Sequence, residues 1–255
     1  MSNNRFKISS NNEASSQKNS MLHEVFQPSI QNRVQDNERE SFIGFQNGEK
    51  KYYDILANDL MQVSCSSNGI CMCISLTSCY QGEGVSTVSS NLAIALADQS
   101  DSRTLYLAAG IHRSSMHIKF GIQNSATWDA ALDSADISTM IKPTRIPNLF
   151  FLSQGLDEND KKCRMDRKGI TALIETLRQE FKFIIIDAPA LEQGETAFLI
   201  GSISDRLIFV IESERVRWEV VNRAKQKLLE ANINILGVVI NQQKHHIPRW
   251  LYNTL

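Results

Sequence analysis

From about residue 50 onward the chain alternates short apolar runs with longer stretches in which apolar residues recur every three or four positions. The apolar runs predict β-strands over 70–76, 104–108, 149–152, 182–187, 206–211 and 235–240. The periodic stretches predict helices over 86–98, 127–133, 169–180, 195–202 and 216–231. Tyr52, Leu56 and Leu60 recur at i, i+4 and i+8 and predict a short helix ahead of the first strand. Ile184-Ile185-Ile186 and Leu236-Gly237-Val238-Val239-Ile240 are continuously apolar, the pattern of strands buried on both faces. Such alternation implies an α/β fold, a three-layer, doubly wound, mostly parallel sheet with ligands at the carboxyl ends of its strands. Residues 1–47 break the pattern: they are rich in Ser, Asn, Gln and Glu, and apolar residues such as Phe26 and Phe42 follow no period. They are expected to form a disordered or partner-dependent arm. The α/β domain is expected over 48–241, followed by a basic and aromatic tail over 242–255.

The chemistry is concentrated between the first strand and the helix after it. Residues 77–87 read T-S-C-Y-Q-G-E-G-V-S-T. This is a phosphate-binding loop of the GxxxxGK[ST] form in which Val85 stands at the lysine position. Gly82 and Gly84 let backbone N–H groups close around phosphate oxygens, and the helix N-terminus adds its positive end. The phosphate-binding set is Gly82, Glu83, Gly84, Ser86 and Thr87, with the Ser86 hydroxyl at the magnesium position. The strand at 182–187 ends in Asp187, the Walker-B arrangement in which a carboxylate holds magnesium or its water. The cradle is therefore retained and its lysine is lost.

Bulk composition narrows the classes. The 255 residues hold one sizeable domain and a tail, and a hydrophobic fraction of 42% suits a globular protein. A net charge of −1 offers no basic footprint for nucleic acid, so no nucleic-acid partner is expected. No apolar run reaches a membrane span, and the polar start lacks a signal-peptide core, so a cytoplasmic location is expected. The five cysteines, at 65, 71, 73, 79 and 163, have no metal-like spacing and read as reduced, mostly buried thiols. Arg215, Arg217 and Arg223 read as a solvated helix face rather than a site.

Together these motifs resemble the deviant Walker P-loop NTPases of the MinD/ParA class. More closely, they resemble the cytoplasmic bacterial tyrosine kinases of capsule and exopolysaccharide loci. That family carries a segment like T-S-x-x-P-G-E-G-K-S-T-x-x-x-N-L-A, which residues 77–93 follow except at Gln81 and Val85. It carries a second motif like D-A-D-L-R-R-P-S-L-H-x-x-F-G. Ala108 to Gly121 keep its frame at Arg113, Ser115, His117, Phe120 and Gly121. A late segment from Ser204-Asp205-Arg206 to Gly237-Val238-Val239-Ile240-Asn241 also matches. The resemblance covers roughly residues 50–252. It implies ATP or ADP with magnesium as ligand, Ser86 and Asp187 toward the metal, and Asn241 facing the adenine.

The departures bear on catalysis. The family's two aspartates of the second motif are Ala108 and Gly110 here, which with Val85 makes three degenerate catalytic positions. An ExxRxxR segment joins neighbouring kinase domains in the family; its positions here are Lys51, Asp54 and Ala57. In place of a terminal tyrosine cluster the tail holds Tyr252. The resemblance therefore implies a catalytically impaired regulatory or scaffold subunit of exopolysaccharide synthesis and export. Its expected partner is a membrane-embedded chain-length-determinant protein at the inner face of the plasma membrane. The tail, with Arg249, Trp250, Leu251 and Tyr252, and the helix around Tyr52, Tyr53 and Leu56 are the expected docking segments. Two rival readings remain. One is an active autokinase or ATPase with a replacement cation such as Arg113, and the other a positioning ATPase of the MinD/ParA class.

Overall fold

The computed structural model of the chain describes residues 50–66, 71–110, 116–122, 137–153 and 167–242. The expected arm over 1–47, the helix expected over 127–133, Arg113, Ser115 and the segment 243–255 with Trp250 and Tyr252 lie outside these residues. In chain order the elements are α1 (Lys50–Ser66), β1 (Met72–Ser78), α2 (Val85–Gln99), β2 (Thr104–Ala108), α3 (Met116–Lys119), β3 (Lys142–Pro143), β4 (Leu149–Ser153), α4 (Arg167–Arg178), β5 (Phe183–Asp187), α5 (Glu195–Ile203), β6 (Arg206–Glu212), α6 (Trp218–Glu230) and β7 (Ile235–Asn241).

The strands form one sheet in the order β3-β4-β2-β5-β1-β6-β7. All neighbours are parallel except the short β3, which runs against β4. β1, β2 and β5 are buried at every residue, because helices cover both faces of the central strands. On one face Met72, Ile74, Leu76, Tyr106, Phe151, Ile185 and Ile208 pack against α2, and α1 packs outside α2 through Ala57 and Leu60. The other face carries α6, whose Val221 and Leu228 meet Leu207 and Phe209. α5 joins it there, since Gly201 sits against Leu207 and Ile233. Chain passage to either side of β1 on opposite faces is the doubly wound topology. It brings the carboxyl ends of β1, β2, β5, β6 and β7 to one edge.

Three local expectations change. β1 runs over Met72–Ser78 rather than 70–76. Its last two residues are polar yet buried, because the Thr77 hydroxyl donates to the Pro189 carbonyl at 2.7 Å and the Ser78 hydroxyl to the Tyr80 carbonyl at 2.7 Å. In α1 the inner face is Tyr53, Leu56, Ala57, Leu60 and Ser64; Tyr52 points outward and is 64% exposed. Leu56 and Leu60 of the i, i+4, i+8 set lie on this face, and Tyr52 falls off it with Tyr53 in its place, since positions four apart drift against a 3.6-residue turn. β7 is not buried on both faces. It is the edge strand, and Leu236, Val238 and Ile240 are 36%, 53% and 66% exposed while the alternate residues pack inward.

An anchor at the opposite edge explains Asp205. The Arg178 guanidinium donates to it through Nη1 at 2.7 Å and Nη2 at 2.9 Å. Asp205 Oδ2 also accepts the backbone N–H of Cys73 at 2.7 Å, so one carboxylate ties α4, β1 and the start of β6. Burial pushes the Cys71 thiol up to about 12 and the Cys79 thiol up to about 11, and drives Cys73 higher still. These three cysteines are free and buried, as expected of small apolar groups; the side chains of Cys65 and Cys163 lie outside the described residues.

Candidate phosphate-binding pocket

β1 delivers the chain to a loop over residues 79–84, and α2 begins at Val85 with Gly84 as its N-cap. Gly82 and Gly84 both have φ of 90°, a left-handed conformation that favours glycine. A Cβ on Gly84 would collide with the side-chain nitrogen of Asn241. No side chain caps α2 and its first turn carries no acid, so its first N–H groups remain free to meet an anion.

The loop is held by carboxylates and amides of the chain itself. The Glu83 side chain is fully buried and accepts the N–H of Tyr80 at 2.6 Å and of Glu212 at 2.9 Å, which staples the loop to the end of β6. Glu192 accepts the N–H of Gln81 at 2.7 Å. The Asn241 amide donates to the Glu83 carbonyl at 2.9 Å. Asn241 therefore supports the loop from β7, and its neighbour Gln242 lines the cavity. Arg215 is not on the solvated face of a helix. It lies before α6 and donates to the Gln81 carbonyl at 3.0 Å and to Glu212 at 2.8 Å.

The cavity measures about 450 Å³ and is lined by Gly82, Gly84, Ser86, Thr87, Gly110 and Asp187, among others. The structure thus brings together the P-loop set, Gly110 and Asp187. Val85 lines the cavity and, partly buried, also packs against the core, as an aliphatic side chain can. Ala108 is buried beside Asp187 in register on the neighbouring strand. Gly110 has open space where a side chain would stand. Among the described lining residues Asp187 is the one carboxylate and Lys119 the one cation. Among the described residues no group of three or more His, Cys, Asp or Glu gathers as a metal site would.

Two residues of this pocket escaped the sequence reading. Tyr106 on β2 is fully buried, and its hydroxyl donates to Asp187 Oδ2 at 2.7 Å. Burial raises Asp187 from its ordinary 3.8 to about 6, against hydrogen bonds from Ser86 and Tyr106 that pull it down. Burial and then the Asp187 charge hold Tyr106 well above the ordinary phenol range. The available signal was a tyrosine in a strand buried on both faces, whose hydroxyl requires a partner. Lys119 lines the same cavity, and its neighbour Phe120 packs edge-on to the Tyr106 ring at 5.3 Å.

Comparison with known proteins agrees with this geometry. The family model described as ParA, the NUBPL iron-transfer P-loop NTPases, matches residues 69–250. Tyrosine-protein kinase CpsD of Streptococcus pneumoniae serotype 4 is 30% identical over 195 residues, 76% of this chain and 84% of that protein. The kinase domain of the Escherichia coli tyrosine kinase ETK superposes with a TM-score of 0.70 at 18% identity, covering 88% of this chain and 89% of that one. MinD of Pyrococcus horikoshii, solved with Mg-ADP, superposes with a TM-score of 0.59 at 21% identity, covering 72% of this chain and 77% of that one. The glycine cradle at the head of α2, Asp187 at the end of β5, and these matches together place the chain in the ParA-like family of P-loop NTPases, among relatives of the bacterial CpsD tyrosine kinases.

Proposed function

We propose that this protein is a catalytically silent regulatory or scaffold subunit of exopolysaccharide or capsule synthesis and export. It acts beside a chain-length-determinant membrane protein at the inner face of the plasma membrane. The observation that carries the proposal is the charge content of the pocket. A phosphoryl-transfer site needs cations on the phosphates and carboxylates on the metal and nucleophile. Here Val85, Ala108 and Gly110 stand at three of those places, and Asp187 is the one carboxylate among the described residues of the cavity wall. Removing one preorganised donor lowers a rate by about 10²–10³, and removing a positioned base by roughly another 10²–10⁴.

If catalysis is gone, function rests on surfaces. No helix among the described residues is long and apolar enough to cross a membrane, so attachment to the membrane runs through a partner. The exposed row Leu236, Val238 and Ile240 on β7, with the exposed Trp218 at the head of α6, supports a partner face on this edge. The segment with Trp250 adds a second docking element. Ala57 supports the absence of a kinase-type ring: it is fully buried under α2, where no neighbouring molecule reaches it. Asp54 accepts the Gln99 amide within the domain at 2.7 Å.

The test is labelled phosphate transfer from Mg-ATP, alone and with the cytoplasmic part of the membrane partner. Neither autophosphorylation nor hydrolysis is expected. Tyrosine phosphorylation at roughly 1 per second or faster, an ordinary kinase rate, overturns the proposal. Lys119 on the cavity wall favours a second reading, an autokinase with a replacement cation. That reading requires turnover to appear with the partner and to vanish in Lys119→Ala.

A further inference from the structure

The β7 edge of the sheet is apolar and unguarded. Edge strands of single chains are usually blunted by lysine, proline or a bulge. β7 has no charged residue and no proline over Ile235–Asn241. A bulge is present, but it falls at Leu236, between Ile235 and Gly237, which pair with Leu207 and Ile208; from Gly237 to Asn241 the register is regular. Val238 and Ile240 stand in register with Phe209 and Ile211 of β6, which pack with α6. Both therefore project on the α6 side of the sheet, and both are exposed there. Parallel sheets are ordinarily covered on both faces, so this row is a surface made for a cover.

α6 supplies a wall beside the row. Val221 and Leu228 mark its inner side. Trp218 and Leu229 are eleven positions apart, three turns along one flank, and are 69% and 51% exposed. α6 joins the neighbouring strands β6 and β7, and the right-handed sense of such a crossover turns this flank toward β7. Among the described residues, every exposed large apolar side chain except Tyr52 and Ile55 thus gathers at one edge.

Both elements are self-complementary about one axis. A half-turn about a line perpendicular to the sheet beside Val238 brings a second copy alongside with its β7 antiparallel to the first. Val238 then faces Val238 of the second copy and Leu236 faces its Ile240, on the same side of the joined sheet, with no charge anywhere in the pairing. α6 and β7 are each about 20 Å long and run in opposite directions, so their midpoints lie level and the same axis serves both. It sets the α6 flank against itself in reverse: Trp218 meets Leu229, and Lys225 meets Asn222 rather than a second lysine. This is an isologous surface. Neither a lipid bilayer nor a strand from another protein requires that symmetry.

We propose that this edge is the interface of a two-fold dimer of the chain, in which antiparallel β7 strands continue the sheet from one copy into the other and the two α6 flanks close over the apolar row. The proposal goes beyond the scaffold reading and does not depend on the loss of catalysis. A dimer presents each docking element to the membrane partner twice, so opening the β7 edge also weakens capture of that partner through lost avidity.

The experiment is sedimentation equilibrium of the full chain between 1 and 100 µM, where a monomer–dimer equilibrium is expected. Val238 sits beside the axis, so a charge placed there opposes itself. Val238→Lys and Val238→Glu should each weaken dimerisation at least tenfold, because like charges directly opposite in a strand pair repel. An equimolar mixture of the two should dimerise at least fivefold more tightly than either variant alone, because lysine then meets glutamate. Trp218→Ala should weaken the dimer of the otherwise unaltered chain at least fivefold. Three outcomes overturn the proposal: an unaltered chain that stays monomeric throughout the range, a dimer of unchanged strength in both Val238 variants, and a mixture no tighter than its components. Co-purification with the membrane partner separates this inference from the scaffold reading. If Val238→Glu loses that partner while the unaltered chain is monomeric, the edge is the partner's own seat; the scaffold reading then stands and the dimer is refuted.

Discussion

Replacing Asp187 by Asn isolates the electrostatic consequence of the pocket's architecture. Burial raises this carboxyl from 3.8 to about 6 in the folded chain. A folded pKa above the unfolded one means that the native state binds the proton more tightly. Below about pH 3.8 the group is neutral in both states and carries no penalty. As pH rises through about 6 the buried group ionises, and the native state loses stability relative to the unfolded chain. Two pKa units correspond to about 3 kcal/mol. Asn is neutral at every pH and keeps an oxygen that accepts the Tyr106 hydroxyl. Its amide brings donors that the site does not fully satisfy, at a cost of about 1–3 kcal/mol. The net gain expected for Asp187→Asn at pH 7.5 is therefore about 0–2 kcal/mol, or up to roughly 8 °C in Tm for a chain of this size. Urea and thermal unfolding from pH 4.5 to 8, in metal-free buffer, measure it. The stability advantage over the unaltered chain should narrow as pH falls through 6. A variant less stable at pH 7.5 by 1 kcal/mol or more, or a difference that does not change with pH, refutes the reasoning. Either result would show that the ionised carboxylate is favourably paired in the native state.

Glu83→Gln leaves one acceptor oxygen for two buried N–H donors, those of Tyr80 and Glu212, and should destabilise the chain by about 1–3 kcal/mol in urea unfolding. Arg178→Met keeps the aliphatic stem and removes the fork on Asp205, so a loss of about 2 kcal/mol is expected by the same measurement. Val238→Glu with Ile240→Glu on the exposed row of β7 should change stability by only about 0.5 kcal/mol, as surface substitutions usually do, while weakening co-purification with the membrane partner. Val85→Lys alone should improve ATP binding without turnover; labelled phosphate transfer should require Ala108→Asp and Gly110→Asp as well, since these rebuild the acidic pair beside Asp187.

What the chain declares on its own is whatever depends on local pattern. The apolar runs, the helical periods and the T-S-C-Y-Q-G-E-G-V-S-T loop are contiguous, so the parallel sheet, the cradle and Asp187 at a strand end were legible from residue order. So were the losses at Val85, Ala108 and Gly110, because a missing functional group is visible in one residue. Strand order and edge position are not local. β7 has the composition of a buried strand, yet among the described residues it pairs only with β6, and Leu236, Val238 and Ile240 are exposed. In α1 the spacing found Leu56 and Leu60 but took Tyr52 for Tyr53, since the buried face is chosen by α2 and not by spacing alone. The deepest features come from distant segments. Tyr106 and Asp187 are 81 positions apart, and a buried phenol does not say which acceptor it will reach. Arg215 reads as one more solvated arginine until the fold sets it against Gln81, 134 positions earlier. Lys119 lines the same cavity as the loop, which lies more than 30 positions earlier, and its neighbour Phe120 is packed on Tyr106. Hydrogen-bond direction and charge proximity are properties of three-dimensional neighbours, and these decided that the retained carboxylate is bound to hydroxyls.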